Sequence, residues 1–450
     1  MEDPSNVSYL EPPEEDPWAH VPPVPKTIPE TGIPEAFLRE LLLKALWVYD
    51  TPTTATLSEV TGLHSNVLGE LLNGLKREGL CEVDSRAPTS TGQFSYQTSD
   101  RGRVAAHEAL ERSRYVGMTP VAVGAYNKLL ADQVKRYRRP PLNEIQKALE
   151  HLVLPETLVK KLGQAFFSRR ALMIYGPSGN GKTEIVTSIA SVISGTVVIP
   201  YSLYAGGQLI RVFDPDVHKS LVDEEKSSDG LLAAGGARHD RRWLPVSRPT
   251  VMVGGNMGAE ALEMTYDEVQ GTHSAPLSIV AQGGVLIIDD LGRQKVSPKE
   301  ILNRWVIMME QGYDSFALTT SEIVRLPLDV TLIFSTTLTL NDLMDEAYLR
   351  RIAYKIPLPD ITRDLMAEIA RRFCITKGIE SSDVAIQHLM DRLYAPGSPK
   401  PRGCYPRDII TTIIDEAEFE GREPALTQEA VERACEMYLG TEDDPELLAA

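Results

Sequence analysis

The chain has only four cysteines among its 450 residues, Cys81, Cys374, Cys404 and Cys435, and they stand far apart. None belongs to a C-x-x-C pair, so neither a disulfide framework nor a zinc site is expected, and reduced thiols are the default. Long apolar runs are missing as well. No stretch approaches the ~20 residues that a membrane-spanning helix needs. Basic charge is in deficit, with Lys+Arg 46 against Asp+Glu 63 and a net charge of −17. Such a chain is a poor general binder of DNA or of an anionic membrane, although a local basic face stays open. The opening residues, MEDPSNVSYLEPPEEDP, are acidic and proline-rich, the opposite of a secretory signal. A cytoplasmic location is the expectation.

The length suggests two or three domains. Residues 1–33 hold many prolines and carboxylates with Lys26 as their one Lys or Arg, and read as a disordered acidic tail. Tyr9 and Trp18 keep a docking peptide open as the alternative. Residues 34–114 run helix, helix, helix, strand, loop, strand, helix. The middle of this stretch, LSEVTGLHSNVLGELLNGLKREGL, carries Val67, Leu68, Leu71, Leu72 and Leu75 on one helix side. This order resembles a winged helix-turn-helix domain, which implies DNA binding through the second helix of the motif. The residues argue otherwise. Residues 34–114 hold nine basic and eleven acidic side chains, whereas a groove reader needs a phosphate-neutralising surface. A protein contact is favoured over duplex DNA.

Residues 115–144 read as a helical connector. It contains the most basic stretch, KRYRRPP at 135–141, read as a solvated linker ahead of a nucleic-acid patch, with reach to a neighbouring subunit's nucleotide as a further option. Residues 145–359 form a nucleotide-binding core and 360–440 are helical in period throughout. Residues 441–450 are an acidic tail.

The core is organised around ALMIYGPSGNGKT at 171–183. An apolar strand-like run leads into Gly176, Pro177, Ser178, Gly179, Asn180, Gly181, Lys182 and Thr183, followed by Glu184 and a helix-like stretch. The pattern fits G-x-x-x-x-G-K-[ST] at every fixed position, in the strand–loop–helix context that it needs. Glycines let successive N–H groups aim inward as an anion nest, and the helix N-terminus adds to the field on a phosphate. Lys182 would reach the β- and γ-phosphates of ATP, and the Thr183 hydroxyl would take one Mg²⁺ position. A second anchor is GGVLIIDDLG at 283–292. Its continuous apolar run predicts a central parallel strand buried on both faces. Asp289, at the strand's C-terminal end, is placed to hold Mg²⁺, and Asp290 to orient the attacking water. VTLIFSTT at 330–337 predicts a third strand, with Thr337 as the candidate contact to the γ-phosphate or the water. Arg350 and Arg351 follow, suited to a neighbouring subunit's phosphate. Arg407 opens a later helix.

In that order, GPSGNGKT, LIIDD, FSTT, LRR and PRD resemble the Walker A, Walker B, sensor 1, arginine finger and sensor 2 of an AAA+ ATPase, over about residues 145–440. The resemblance implies an α/β fold: a parallel-sheet P-loop core with a C-terminal helical lid, preceded here by the winged-helix-like domain. It implies Lys182 and Thr183 on phosphates and Mg²⁺, Asp289 on Mg²⁺, Thr337 as sensor 1, Arg350 or Arg351 as finger and Arg407 as sensor 2. It also implies a homo-oligomer, commonly a hexameric ring, that uses ATP to remodel a protein or nucleic acid. Two departures stand out. Asp290 replaces the usual Glu, and Thr337 stands where Asn is frequent. Lys182 and Asp289 lie 107 positions apart, longer than a minimal core. The excess falls near 204–282, as in branches carrying an insert before Walker B, such as MoxR-like chaperones and enhancer-binding activators. Residues 315–329 suit the hairpin that such branches place before sensor 1. The expected function is a ring ATPase that remodels or assembles a protein partner, chaperone-like, with the N-terminal domain as adaptor. The alternatives are a DNA-binding regulator or helicase-loader-like ATPase, and a slowly hydrolysing nucleotide switch.

Overall fold

The computed structural model describes residues 16–84, 94–222, 239–343 and 349–439, apart from the side chains at 306 and 307. The wing loop, Tyr9, the Gly-rich LLAAGGAR at 231–238 and the acidic tail lie outside the described residues. Among those described, no helix is long and apolar enough to cross a membrane.

Helices Glu35–Val48, Thr54–Thr61, Ser65–Arg77 and Asp100–Arg112 pack with a two-stranded antiparallel hairpin, β1 (Cys81–Asp84) and β2 (Ser95–Thr98). Their boundaries follow local chemistry. The Thr53 and Ser99 side chains accept from the Thr56 and Gly102 N–H groups, satisfying donors that the first helical turn leaves over. Leu38, Leu42, Leu57, Leu68 and Leu72 form the apolar centre. Lys44 is buried in this unit, and its Nζ donates to the Ser113 carbonyl at 3.0 Å.

Residues 16–33 correct the expectation of a disordered tail over 1–33. Val21, Val24, Ile28 and Ile33 are buried, and Trp18 stacks on His239 with ring centroids 5.6 Å apart. The prolines that argued for disorder have no N–H to satisfy, so a proline-rich segment, ending in the short helix Ile28–Thr31, packs on an apolar surface with few donors to place. A buried ion pair fastens the segment. The Arg242 guanidinium donates to both oxygens of Asp240, to the Thr31 carbonyl at 3.0 Å and to the Pro120 carbonyl at 3.4 Å.

Between this unit and the closing helices come β3 (Val121–Ala122), β4 (Leu172–Tyr175), β5 (Thr196–Pro200), β6 (Ser202–Ala205), β7 (Gln208–Arg211), β8 (Trp243–Ser247) and β9 (Thr250–Val253). They continue with β10 (Thr265–Asp267), β11 (Thr272–Ser274), β12 (Val285–Ile288), β13 (Tyr313–Ala317), β14 (Ile323–Pro327), β15 (Thr331–Thr336) and β16 (Tyr354–Pro357). The central sheet has five strands in the order β16-β4-β15-β12-β9, all parallel. Every residue of β12 and β15 is buried, as a parallel strand covered on both faces requires. Alternate residues feed two cores. Leu286, Ile288 and Phe334 join Trp305 on one face, while Val285, Ile287 and Ile333 join Ile185 and Ile189 of the helix Lys182–Ala190 on the other.

A second sheet, β10-β11-β7-β6-β3, is built mainly from the long segment between Lys182 and Asp289, with β3 contributed by the connector. Two boundaries shift here. Thr250–Val253, within the stretch taken as excess, is an edge strand of the central sheet. The expected division at 144/145 falls inside the helix Leu142–Leu149. The hairpin expected over 315–329 is β13–β14. Four helices close the chain, Arg363–Lys377, Asp383–Leu393, Tyr405–Phe419 and Gln428–Leu439, around a separate apolar cluster.

Burial pushes the Lys44 ammonium down to about 8 from an ordinary 10.5. Below pH 8 the folded chain must hold that charge in an apolar setting, at a cost of up to ~3 kcal/mol. Between pH 8 and 10.5 the folded chain binds fewer protons than the unfolded one, so rising pH relieves the cost. Lys44→Met should therefore be the more stable form at pH 7, with its advantage shrinking by pH 10. Urea midpoints at both values check this, and an advantage independent of pH contradicts it.

Candidate functional site

The site lies at the C-terminal ends of β4, β15 and β12, where open α/β sheets place their ligands. Strand β4 ends at Tyr175, and the next residue bends the chain. Gly176 has φ +150°, and a Cβ there would sit 2.6 Å from the Leu358 carbonyl oxygen. Only glycine lets the backbone pass this close. The Gly176 N–H donates to the Thr336 carbonyl at 3.2 Å, fixing the start of the loop to the end of β15.

Lys182 opens the helix Lys182–Ala190 and is 6% exposed. Its Nζ donates to the Gly176 and Pro177 carbonyls at 2.9 and 2.8 Å. Burial lowers its pKa from the ordinary value, and Asp290 and Asp289 oppose that shift. The Thr183 hydroxyl donates to Asp289 Oδ2 at 2.7 Å. A hydroxyl and a carboxylate side by side are hard oxygen donors, the set that suits Mg²⁺, which keeps water and substrate oxygens for its other positions.

The two aspartates sit differently. The Asp289 N–H donates to the Val253 carbonyl at 2.8 Å, continuing the sheet. Asp290 has φ +50°, a left-handed conformation that Asp tolerates better than most residues. The turn is held by Ser335, which is fully buried. Its hydroxyl donates to Asp289 Oδ1 and accepts from the Asp290 N–H, the latter at 3.2 Å. Thr337 lies one residue beyond β15, half-buried, and the polar contact to the aspartate pair comes from Ser335. Register explains this: Ile288 pairs with Phe334, so Asp289 stands level with Ser335.

Beside the loop a cavity of 420 Å³ opens between the core and the closing helices. Leu152, Leu154, Leu158, Ile185, Ile361 and Ile369 give it apolar walls, and Gly179, Asn180, Gly181, Glu184 and Arg407 its polar rim. The Arg407 guanidinium is held by its neighbour, with Nε donating to Asp408 Oδ1 at 2.9 Å. Asn180 ties three parts together: its Nδ2 donates to the Pro359 carbonyl at 3.3 Å and its Oδ1 accepts from the Gly403 N–H at 3.2 Å. Nothing in the sequence flagged the cavity walls, which come from residues far apart in the chain.

Lys182, Thr183, Asp289 and Asp290 are thus brought together, with Glu184 and Arg407 on the cavity rim. Arg350 and Arg351 are not. They precede β16, whose Tyr354 pairs with Leu172, so they stand at the end of the sheet opposite the loop. Arg351 pairs with Glu310 of the helix Pro298–Gln311.

Residues 362–437 match a family described as a domain of unknown function (DUF8689). No curated protein matches the chain. Among solved structures, NtrX from Brucella abortus is similar over 78% of this chain and 66% of its own, at 16% identity and a TM-score of 0.39. The chain thus spans slightly less than two thirds of that protein. NtrX in complex with ADP gives the same TM-score and identity, covering 77% and 69%. A point variant of RuvB from Thermotoga maritima covers 63% and 69% at 16% identity with a TM-score of 0.36.

Lys182→Ala removes the buried cation of the loop. ATP binding should weaken by ~2–4 kcal/mol, about 30- to 1000-fold. Titration calorimetry on both forms checks this, and an unchanged affinity contradicts the assignment of the loop.

Proposed function

We propose that the chain is an ATP-hydrolysing AAA+ enzyme that works as a homo-oligomeric ring and remodels or assembles a protein partner. The observation that carries the nucleotide reading is the contact of Thr183 with Asp289. It joins a fully matched phosphate loop to a carboxylate on the next strand but one, at the sheet edge where ligands bind. In this reading the loop N–H groups and Lys182 receive the phosphates, and the 420 Å³ cavity receives the base between its aliphatic walls. Thr183 and Asp289 would hold Mg²⁺, which neutralises phosphate charge when bound. Asp290 orients and polarises the attacking water, while Ser335 keeps both aspartates in place.

The placement of Arg350 and Arg351 supports the ring. Both stand at the sheet end away from their own loop, so a role at a phosphate requires a neighbouring subunit. The N-terminal unit supports a protein client, since its acidic balance suits a protein surface better than a phosphate backbone. Arg242, paired with Asp240 just before β8, holds the Thr31 and Pro120 carbonyls on either side of this unit, which suits an adaptor that moves with the ATPase. A slower nucleotide switch is the second reading. It is favoured by Asp290, one methylene shorter than Glu and with Arg293 Nη1 3.9 Å from its Oδ2.

Asp290→Asn should keep ATP bound and stop turnover, because it removes the charge and preserves the shape. Phosphate release alongside nucleotide affinity checks this, and normal turnover contradicts the role. The trans role has its own test. Subunits lacking Lys182 are mixed with subunits lacking Arg350 and Arg351, each inactive alone. Activity should return in mixed rings. If subunits exchange and no activity returns, the arginines do not act across the interface.

A further inference from the structure

The loop 401–404, between the helices Asp383–Leu393 and Tyr405–Phe419, lies directly on the phosphate loop. The Cys404 N–H donates to the Gly179 carbonyl at 2.9 Å, and Arg402 Nη1 donates to the Ser178 carbonyl at 3.2 Å. The approach is close. Gly179 has φ +81°, and a Cβ there would come within 2.9 Å of Cys404 Sγ and 3.3 Å of Arg402 Cβ. Arg402 therefore stands over the first half of the phosphate loop, where Lys182 also points. Lys182 takes the Gly176 and Pro177 carbonyls, and Arg402 takes the next one.

Two cations thus occupy consecutive carbonyls of one short loop. Their mutual repulsion helps to lower the Lys182 pKa, after burial, with Arg293 adding to it. An anion in the loop would relieve that repulsion. Arg407 is differently disposed. It lies on the rim of the base cavity, and both Nε and Nη2 contact Asp408 Oδ1 at 2.9 Å, so its charge is already matched. Asp408 is also held by the Tyr438 hydroxyl at 2.7 Å, which fixes the pair in place. Among the described residues, the hydrogen bond of Arg402 goes to a neutral carbonyl.

We propose that Arg402, rather than Arg407, is the residue of the closing helical unit that binds the terminal phosphate of a nucleoside triphosphate. Arg407, held by Asp408, instead lines the base cavity. This rests on the nucleotide reading above. Arg402 exchanges the neutral Ser178 carbonyl for a charged phosphate oxygen, which adds the attraction of opposite charges and allows a bidentate grip. The loop 401–404 then reports the presence of the third phosphate to the four closing helices.

The test uses the full-length protein with Mg²⁺ and two probes, ATPγS and ADP, in wild type, Lys182→Ala, Arg402→Gln, Arg402→Lys and Arg407→Gln. Arg402→Gln should weaken ATPγS by about tenfold or more and ADP by less than about threefold. Arg402→Lys, which keeps the charge, should recover part of the loss, and Arg407→Gln should weaken both probes alike. Equal loss of both probes in Arg402→Gln would mean that the residue only shapes the loop, and would overturn the proposal. No loss there, or a triphosphate-selective loss in Arg407→Gln, would overturn it too. In each of these outcomes Lys182→Ala still weakens binding and the nucleotide reading stands. Wild type that binds neither probe, or Lys182→Ala that binds like wild type, overturns both.

Discussion

The hydrogen bond from Thr183 to Asp289 exists because three parallel strands are held in one register. Strand β4 delivers the phosphate loop, β12 delivers the carboxylate, and β15 lies between them. Gly176 is tied to Thr336, Asp290 and Leu291 are tied to Ser335, and Asp289 is tied to Val253 of the outer strand. A slip by one residue in any pair would turn Asp289 or Ser335 to the opposite face. The chemistry of the site therefore depends on the packing of the sheet, and the all-buried β12 and β15 are what fix that packing.

The same dependence extends outward from the sheet. The phosphate loop is gripped from two further directions, by the Leu358–Pro359 segment after β16 and by the loop 402–404 of the closing helices. On the other side, the segment between the loop and Asp289 builds its own sheet, and Tyr204 of its strand β6 packs on Phe37 of the N-terminal unit. A polar attachment lies beside it, just before β8. Arg242 and Asp240 are both nearly fully buried, and the arginine's remaining donors reach Thr31 and Pro120. A buried pair of this kind adds little net stability over an apolar contact, but losing one partner leaves a charge unpaired. That makes it a device for holding three segments in one arrangement.

Much of the central site was legible because its residues are contiguous. GPSGNGKT and LIIDD carry their own context, a strand before and a helix or turn after. What stayed hidden depends on alignment between distant segments. Ser335 and Thr337 stand two positions apart, and only the pairing of Ile288 with Phe334 decides which meets Asp289. Of the two arginines of PRGCYPRD, Arg402 reaches the phosphate loop and Arg407 is bound to Asp408, a distinction set by the turn at Gly403 and Cys404. The proline-rich segment 16–33 was misread because composition weighs prolines as disorder, whereas an extended chain packs well when a surface is waiting. Thr250–Val253 was hidden because it is an edge strand, with Thr250 and Met252 exposed and two glycines directly after it, so it lacks the all-buried apolar run that marks β12.

In the proposed reading the phosphate loop, Asp289 and the neighbouring cavity form one nucleotide site. A crystal structure of the full-length protein with ATPγS and Mg²⁺ tests it most directly. Phosphates should be wrapped by residues 176–183, with the metal at Thr183 and Asp289 and the base between Leu154 and Ile369. Nucleotide bound elsewhere, or phosphates in the loop with the base outside the cavity, would contradict it.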